Sequence, residues 1–413
     1  MSGIHDPVEA VAWLRSSEAI RERCGLIHAA AEADRLEHFA LVPERLEPTA
    51  DYVLDTIRAA YPTLEIPYHA RWRHFAVGGR DRWAAMLKGA GLRNRAETAR
   101  VGFDLVVTSV LLDAGAGERW RYLEPASGRT FARSEGLAVA SFGLFAAGAF
   151  SSDPAHPLRA DAAALRSLPE EILARGFQVT ADNPLVGLEG RLDLMRRLGQ
   201  ALEAEPRLFG ADAPRPGGLF DYLAGQAGGG ELPAGAILAA VLRGFAPIWP
   251  GRLSLGGANL GDVWRHPAVH ADDLTDGLVP FHKLSQWLTY SLVEPLEAAG
   301  IRVTGLDALT GLPEYRNGGL MIDCGLLRPK HDAVLGQAHR PEDVVVVEWR
   351  ALTVVLLDRL AAVIRECLGL DQAALPLAKV LEGGTWSAGR RIAAETRPGG
   401  PPPIRLESDG TVF

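Results

Sequence analysis

The chain has 413 residues, 47% of them hydrophobic and 23% charged, so it is long and apolar enough to form a sizeable core. Its formal net charge of -8 argues against a general nucleic-acid binder, which normally carries a basic surface. Three widely separated cysteines indicate neither a disulfide framework nor a zinc site. We see no signal peptide and no apolar run that spans a membrane, which predicts a cytoplasmic protein without membrane contact.

Arginine replaces lysine almost throughout the chain. Of the 43 basic residues, the only lysines are Lys88, Lys283, Lys330 and Lys379. A compact ammonium binds differently from a planar guanidinium, so a lysine that persists against this bias is a candidate for a role that arginine cannot fill. We place Lys283 on a half-buried helical face, where a functional lysine and a snorkelling surface lysine are both open interpretations.

The first third of the chain is predicted to be helical, over residues 7–60, 98–112 and 137–150. Residues 68–75 are dense in aromatic and basic side chains. Trp72 is predicted to stack on a planar ring there, and an amphipathic turn that faces water is the alternative. Asp113 follows a buried helix, where a carboxylate opposes the helix dipole, so it is either a positioned acid or a turn-forming residue.

Helices are also predicted over residues 185–203 and 348–368, and the run 344–347 fits either a strand or a buried helix. Residues 206–233 are the loosest part and a possible sub-boundary, and short strands are expected at 302–303 and 320–322. No βαβ rhythm or repeat is visible. We therefore predict a mainly α protein, with one large helical domain over residues 1–398 and an extended C-terminal tail over 399–413.

Polar candidates are densest between residues 276 and 351. Pro280 is expected to open a helix that carries an apolar stripe and, on an adjoining face, Lys283, Gln286 and Trp287. Two later segments that begin with Glu314 and Glu348 are expected to pack with this helix. Nearer the C-terminus, the glycine-rich residues 382–391 predict either an anion cradle with free N–H groups or a turn capped by Thr385.

The sequence lacks the motifs of serine hydrolases, zinc proteases and dinucleotide-binding proteins. What remains is a set of carboxylates with one lysine and several arginines. Carboxylates suit reactions with a cationic sugar transition state, and lysine and arginine suit a phosphate group. The pattern favours hydrolysis of a phosphorylated N-glycoside without a metal or cofactor, and surface or helix-capping glutamates are the open alternative.

Six segments carry a resemblance to a known family: residues 68–75, 104–117, 133–150, 176–190, 279–287 and 382–391. They resemble a family of fungal and bacterial proteins tied to the URC uracil-catabolism pathway. The resemblance implies a role in a breakdown of uracil that does not use the reductive route. In the URC pathway, uracil is converted to its ribonucleotide and the ring is opened. A ribosylurea-type intermediate must then yield urea.

A second resemblance covers the C-terminal half. Residues 281–286, Phe-His-Lys-Leu-Ser-Gln, are similar to the Phe-Tyr-Lys-Arg-Ala-Gln stretch of queuosine-salvage N-glycosidases. Residues 314–316 and 348–351 resemble that family's Asp-Tyr-Arg and Glu-Ile-Arg-Ala. The likeness implies a DNA-glycosylase-like helical core in which Lys283 binds the phosphate or sugar. Glu314 would face the anomeric carbon and Glu348 would position it. Tyr and Asp of the family are His282 and Glu314 here, a change that a smaller substrate fits.

The predicted catalytic residues are Glu314, Glu348 and Asp113, and the predicted substrate-binding residues are Lys283, His282, Gln286, Arg316, Arg350, Trp72, Trp287, Thr385 and Arg390. The expected partner is a phosphorylated ribose derivative, and another enzyme of the pathway is a further candidate. The alternative from another class is a non-catalytic binding or scaffold protein that senses a pyrimidine intermediate. An amidohydrolase is disfavoured, because no activated nucleophile is visible.

Overall fold

A computed structural model of the chain describes residues 3–407. Helices make up more than half of these residues and the strands form only short pairs, so the prediction of a mainly α protein is confirmed. Within residues 3–407, no helix combines the length and the apolar character that crossing a membrane requires. The first two residues of the predicted domain and residues 408–413 of the predicted tail lie outside the described residues.

The helices occupy most of the chain. In chain order they are α1 (Pro7–Leu14), α2 (Ser17–Glu32), α3 (Leu46–Ala60), α4 (Arg71–Phe75), α5 (Arg82–Ala90), α6 (Arg95–Leu111), α7 (Arg133–Ala146), α8 (Ala162–Arg166), α9 (Glu170–Gly176), α10 (Leu188–Ala204), α11 (Pro206–Phe209), α12 (Gly218–Gln226), α13 (Ala234–Phe245), α14 (Lys283–Ala298), α15 (Tyr315–Asp323), α16 (Ala333–Gly336), α17 (Val344–Leu368), α18 (Leu377–Val380) and α19 (Trp386–Thr396). Short 3₁₀ turns lie at Pro43–Arg45, Val77–Gly79, Ala246–Ile248 and Leu306–Ala308, and a π-helical turn at Leu381–Thr385 joins α18 to α19.

The strands of the described residues have two or three residues each and pair two by two. Antiparallel pairs join β1 (Phe39–Leu41) to β10 (Leu327–Pro329), β2 (Tyr122–Glu124) to β3 (Arg129–Phe131), β5 (Ser254–Leu255) to β6 (Ala258–Asn259), and β7 (Val263–Arg265) to β8 (Leu278–Pro280). Parallel pairs join β4 (Glu231–Pro233) to β9 (Arg302–Thr304) and β11 (Ala338–His339) to β12 (Arg405–Leu406).

The described chain forms two compact units. The first contains residues 3–69, 251–286 and 305–407, and the second contains residues 70–250 and 287–304. Each unit is assembled from separate stretches of the chain. The single helical domain over residues 1–398 stays a prediction.

The first unit is built around α17, which packs against α2, α3 and α15. Most of its 25 residues are buried, so the helix lacks a polar stripe, and for this reason the run 344–347 could not be assigned from the sequence. Helix α15 approaches α17 closely: a Cβ added to Gly318 would lie 2.6 Å from the Trp349 indole nitrogen. The prediction of a strand at 320–322 is therefore wrong, because the glycines that disfavour a helix there are required by this contact.

The second unit has α6 at its centre, with α7 and α12 packed against it. Helix α10 packs on α8, and the close approach requires Gly199, where an added Cβ would lie 2.8 Å from the Ala162 carbonyl oxygen. The stretch 206–233, predicted to be the loosest part, contains the short elements α11, α12 and β4, and the possible sub-boundary there stays a prediction. Its many glycines and prolines mark the ends of short elements.

Candidate functional site

Lys283 is the first residue of α14 in the first unit, three residues later than the sequence predicted, because Pro280 ends strand β8. His282 has a left-handed backbone with φ of 48°, and its Nε2 lies 2.9 Å from the Leu14 carbonyl oxygen. The Lys283 N–H donates to Asp262 Oδ2 at 2.9 Å. Lys283 is half-buried, as expected. The His282 ring fixes the start of helix α14 through its contact with Leu14.

Asp262 and Arg350 form a buried ion pair that holds this start in place. Arg350 donates from both Nη atoms to the carboxylate, at 2.7 and 2.8 Å, and its guanidinium lies 4.1 Å above the Phe281 ring. Burial raises the pKa of Asp262, but Arg350 outweighs that effect and holds it well below its usual range. Arg350 Nε also reaches the Pro313 carbonyl at 3.3 Å, so one side chain links Lys283 to the residue before Glu314.

Glu314 is the N-cap of α15. Its Oε2 accepts the N–H of Arg316 at 2.9 Å and its Oε1 accepts that of Asn317 at 2.6 Å, which satisfies two donors of the first turn. Burial raises the pKa of the Glu314 carboxyl above its ordinary value. Those two N–H groups lower the pKa, and the nearby charges of Lys283 and His69 lower it further without cancelling the effect of burial.

His69, whose charge lowers the pKa of Glu314, forms a close pair with Glu382. His69 Nδ1 lies 2.7 Å from Glu382 Oε2, and both side chains are almost buried. The His69 ring contacts Trp386 at a centroid distance of 5.5 Å, and the Arg390 guanidinium lies 4.9 Å from the same indole. The sequence did not predict this pair, since 313 positions separate its members. The cluster at 68–75 and the glycine-rich segment 382–391 were each predicted as sites, but nothing in the sequence joins them.

The glycine-rich segment 382–391 is not an anion cradle with free N–H groups at a helix start. It is a π-helical turn within a continuous helical run from Leu377 to Thr396, where backbone groups are largely occupied. Its glycines allow close packing: an added Cβ would lie 2.9 Å from Ile66 at Gly383 and 2.7 Å from Val53 at Gly384. Thr385 is fully buried. Substrate binding by Thr385 and Arg390 stays a prediction.

Glu348 is buried near the N-terminus of α17. Its two oxygens accept the backbone N–H groups of Glu37 and His38, at 3.2 and 3.1 Å, and His266 Nε2 lies 3.5 Å away. These contacts attach the segment before β1 to α17. A structural role therefore accounts for Glu348, and its predicted positioning of Glu314 stays a prediction.

Gln286 and Arg316 have defined partners in the first unit. Gln286 is fully buried; its Oε1 accepts the Thr310 N–H at 3.3 Å, and within residues 3–407 its Nε2 has no hydrogen-bond partner. Arg316 donates to the Gly400 carbonyl at 2.8 Å, so it holds the predicted tail against α15. Gln286 thus offers a buried donor for a ligand, whereas Arg316 already binds the chain.

Asp113, Trp72 and Trp287 belong to the second unit, around the buried Arg71. Asp113 Oδ2 accepts from Arg71 Nη1 at 2.8 Å and from the Ser134 hydroxyl at 2.5 Å. The Arg71 guanidinium lies 5.6 Å from the Trp287 ring. The Trp72 indole N–H donates to the Ser291 carbonyl at 2.8 Å. The paired Asp113 is suited to holding Arg71, and its catalytic role stays a prediction.

Known proteins match the chain over almost its full length. The family described as "Protein of unknown function (DUF1688)" matches residues 13–413. Two relatives are each 40% identical over 98% of this chain and 99% of their own length: "Protein urg3" of Schizosaccharomyces pombe and "Uracil catabolism protein 4" of Lachancea kluyveri. The resemblance to the URC uracil-catabolism family is confirmed, and the chain belongs to the DUF1688 family.

Proposed function

We propose that this protein acts in uracil catabolism, where it hydrolyses the C–N bond between a ribose phosphate and urea or a related uracil-derived group. Two observations support the pathway: the name of the relative from Lachancea kluyveri, "Uracil catabolism protein 4", and the match over 98% of this chain. The likeness of residues 281–286, 314–316 and 348–351 to N-glycosidases supports the reaction class. The substrate is then a ribosylurea-type 5-phosphate.

The observation that carries the proposal is the environment of Glu314. Burial raises the pKa of this carboxyl while two backbone N–H groups fix its orientation, and Lys283 lies within electrostatic range. A fixed, poorly hydrated carboxylate interacts strongly with a positive charge that develops on a bound sugar. Glu314 therefore stabilises or captures the oxocarbenium ion at the anomeric carbon.

The cations of the first unit have a separate task in this proposal. Lys283 binds the 5-phosphate as a point charge, and Arg390 contributes from α19. Asp262 and Arg350 are positioning residues, because they hold the first residue of α14 and the segment before Glu314 by the contacts described above. No metal or cofactor takes part in the proposed hydrolysis.

The test is a product assay with the full chain and its Glu314→Gln variant. Each is incubated with ribosylurea 5-phosphate and with uridine 5′-monophosphate, and urea, uracil and ribose phosphate are followed by mass spectrometry. We expect urea and ribose phosphate from the wild-type protein, and a loss in kcat of about 10²–10³-fold in the variant, as for removal of one electrostatic stabiliser of the transition state.

A matched control makes the same change from carboxylate to amide at another helix N-cap. Asp81 is the N-cap of α5, accepts the Ala84 N–H at 2.9 Å and is exposed, so Asp81→Asn should leave kcat unchanged. Equal activity of the wild type and Glu314→Gln would sink the proposed role of Glu314. A ligand-dependent rise in melting temperature without any product would favour the alternative, a non-catalytic binding protein of the pathway.

A further inference from the structure

His69 and Glu382 make a buried histidine–carboxylate contact that the proposed roles so far leave unused. An ionised carboxylate only accepts hydrogen bonds, so the Nδ1 of His69 carries the proton in this 2.7 Å contact. That arrangement fixes the tautomer and the ring orientation, and it places Nε2 on the opposite edge of the ring. A contact of the same type on the surface, His156 with Asp153 at 2.7 Å, involves a histidine side chain that is 63% exposed.

The backbone holds both members of the pair rigidly. The His69 N–H donates to the Ala378 carbonyl at 2.9 Å, which ties the residue to α18. Glu382 lies in the π-helical turn that follows α18, and Gly383 in the same turn packs against Ile66, three residues before His69. Single π-turns inside helices are frequent at functional sites, because they redirect one side chain at a cost in helix stability.

The pair belongs to the same unit as Glu314. Helix α19, which continues the π-turn, packs on α15, and Gly389 contacts the Arg316 carbonyl so closely that a Cβ has no room. The charge of His69 is near enough to act on the Glu314 carboxyl. In the proposed function Glu314 faces the sugar, and a fixed imidazole whose charge acts on this carboxylate suits acid-assisted departure of the leaving group.

We propose that His69 is the catalytic acid and base of the proposed hydrolysis and that Glu382 is its positioning residue. This assignment rests on the proposed function. In the first step the C1–N bond breaks, its electron pair goes to the nitrogen of urea, and that nitrogen takes the proton from His69 Nε2. Water then adds to C1 of the oxocarbenium ion that Glu314 stabilises, and neutral His69 takes the proton that this water loses. The sum is ribosylurea phosphate plus water giving ribose phosphate plus urea.

The experiment compares two leaving groups on the same sugar phosphate. Ribosylurea 5-phosphate needs a proton on its leaving nitrogen, whereas 4-nitrophenyl ribofuranoside 5-phosphate loses a stable phenolate unaided. We expect His69→Asn to lower kcat/KM about 10²–10⁴-fold for the urea substrate and less than about 10-fold for the nitrophenyl substrate. Asparagine keeps an amide donor near the position of Nδ1, so the contact with Glu382 and the fold are preserved.

Three variants complete the set. Glu314→Gln should lower kcat/KM for both substrates, and His156→Asn, the matched surface control, for neither. Glu382→Gln should lower kcat/KM about 10-fold or more with the urea substrate and much less with the nitrophenyl one, a selectivity that a merely structural role does not produce. If His69→Asn fails to fold by circular dichroism, His69→Gln replaces it.

Several outcomes overturn the inference. Equal losses for both leaving groups in His69→Asn would make His69 structural, and full activity towards the urea substrate would remove it from the reaction. Either result, with Glu314→Gln inactive, leaves the proposed function standing. A wild-type protein that cleaves neither substrate overturns the proposed function and this inference together.

Discussion

Two regions bury charged groups among aromatic rings: the Glu314 region of the first unit, with Asp262 and Arg350, and the Arg71 region of the second, with Asp113. Their carboxylates have different partners. In the Arg71 region, each nitrogen of the guanidinium donates a hydrogen bond: Nε to the Ser109 hydroxyl, Nη1 to Asp113 and Nη2 to the Ser109 carbonyl. Asp113 in turn accepts from Arg71 and from Ser134. In this region the charge of Arg71 is paired with that of Asp113, and every nitrogen of the guanidinium donates a hydrogen bond.

In the Glu314 region, the buried arginine is paired with a different carboxylate. Arg350 binds Asp262, and within residues 3–407 Glu314 has no ion pair with an arginine; it accepts two backbone N–H groups. As a result the pKa of Asp262 is held low and that of Glu314 is raised. A paired carboxylate supports the fold, whereas an unpaired and desolvated one remains able to respond to charge on a ligand.

The largest effect on stability is expected from removing the charge of Asp262, the carboxylate that pairs with Arg350. We expect Asp262→Asn to lower the free energy of unfolding by about 3–5 kcal/mol, because the buried Arg350 then loses its ion pair with the Asp262 carboxylate. The double variant Asp262→Asn with Arg350→Met should recover part of this loss. Denaturant titration with circular dichroism measures both values.

The control for this variant is an exposed ion pair. Arg166 and Glu203 are 52% and 41% exposed, so Glu203→Gln should change the free energy of unfolding by less than about 1 kcal/mol. If Asp262→Asn lowers the free energy of unfolding no more than Glu203→Gln does, the ion pair of Asp262 and Arg350 does not stabilise the fold as expected.

Asp113→Asn applies the same change to the Arg71 region. We expect a smaller loss, about 2–3 kcal/mol, because Arg71 keeps its two bonds to Ser109. The kcat of the folded variant should stay within about 10-fold of the wild-type value, as for a group that does not meet the reacting atoms. A fall in kcat as large as that in Glu314→Gln, with stability retained, would instead support the catalytic role that the sequence predicted for Asp113.

Lys283→Met tests whether the Glu314 region binds the phosphate of its proposed substrate. Removal of one charged contact to a phosphate should raise KM for the phosphorylated substrate about 10–100-fold, and change KM for the dephosphorylated analogue little. The matched control is Lys88→Met, since Lys88 is an exposed lysine of α5 in the second unit. An equal rise in KM with and without the phosphate would exclude Lys283 as its partner.

The sequence predicted elements well where periodicity was strong and poorly where packing decided. Helices α6 and α17 were located by their apolar residues, whereas residues 320–322, expected to form a short strand, belong to helix α15. Gly318 and Gly319 of this helix disfavour a helix in isolation. Only the contact of Gly318 with Trp349 explains why glycine is required there. Such close approaches depend on residues far apart in the chain, so no local pattern contains them.

The candidate site follows the same rule. Lys283 was singled out by the near absence of lysine, and Glu314 as one of a small set of carboxylates and then by resemblance. The charge of Lys283 is near enough to lower the pKa of Glu314. Asp262 and the pair of His69 with Glu382 were not predicted, because each acts through a partner on another segment. Residue type reveals which side chains carry chemistry, whereas the fold determines which of them meet.

The pH dependence of stability gives the smallest but most direct test of the contrast between Glu314 and Asp262. Because the pKa of Glu314 is raised above 4.5, the folded protein binds more protons at this group than the unfolded chain between 4.5 and the folded pKa. Its contribution to the free energy of unfolding therefore falls as pH rises through that window. Glu314→Gln removes the effect, so its stability relative to wild type should increase with pH there and level off above the folded pKa.

Asp262 has the opposite sign, since its pKa is lowered from 3.8: its stabilisation is fully present above that value and is lost as pH falls through the folded pKa. Denaturant titrations of the wild type, Glu314→Gln and Asp262→Asn from acid to neutral pH measure both trends. Opposite slopes of relative stability against pH would establish that ionised Asp262 stabilises the fold and that ionised Glu314 destabilises it. A relative stability of Glu314→Gln that decreases with pH would mean that Lys283 and His69 outweigh the burial of Glu314, and the two regions would then not differ in kind.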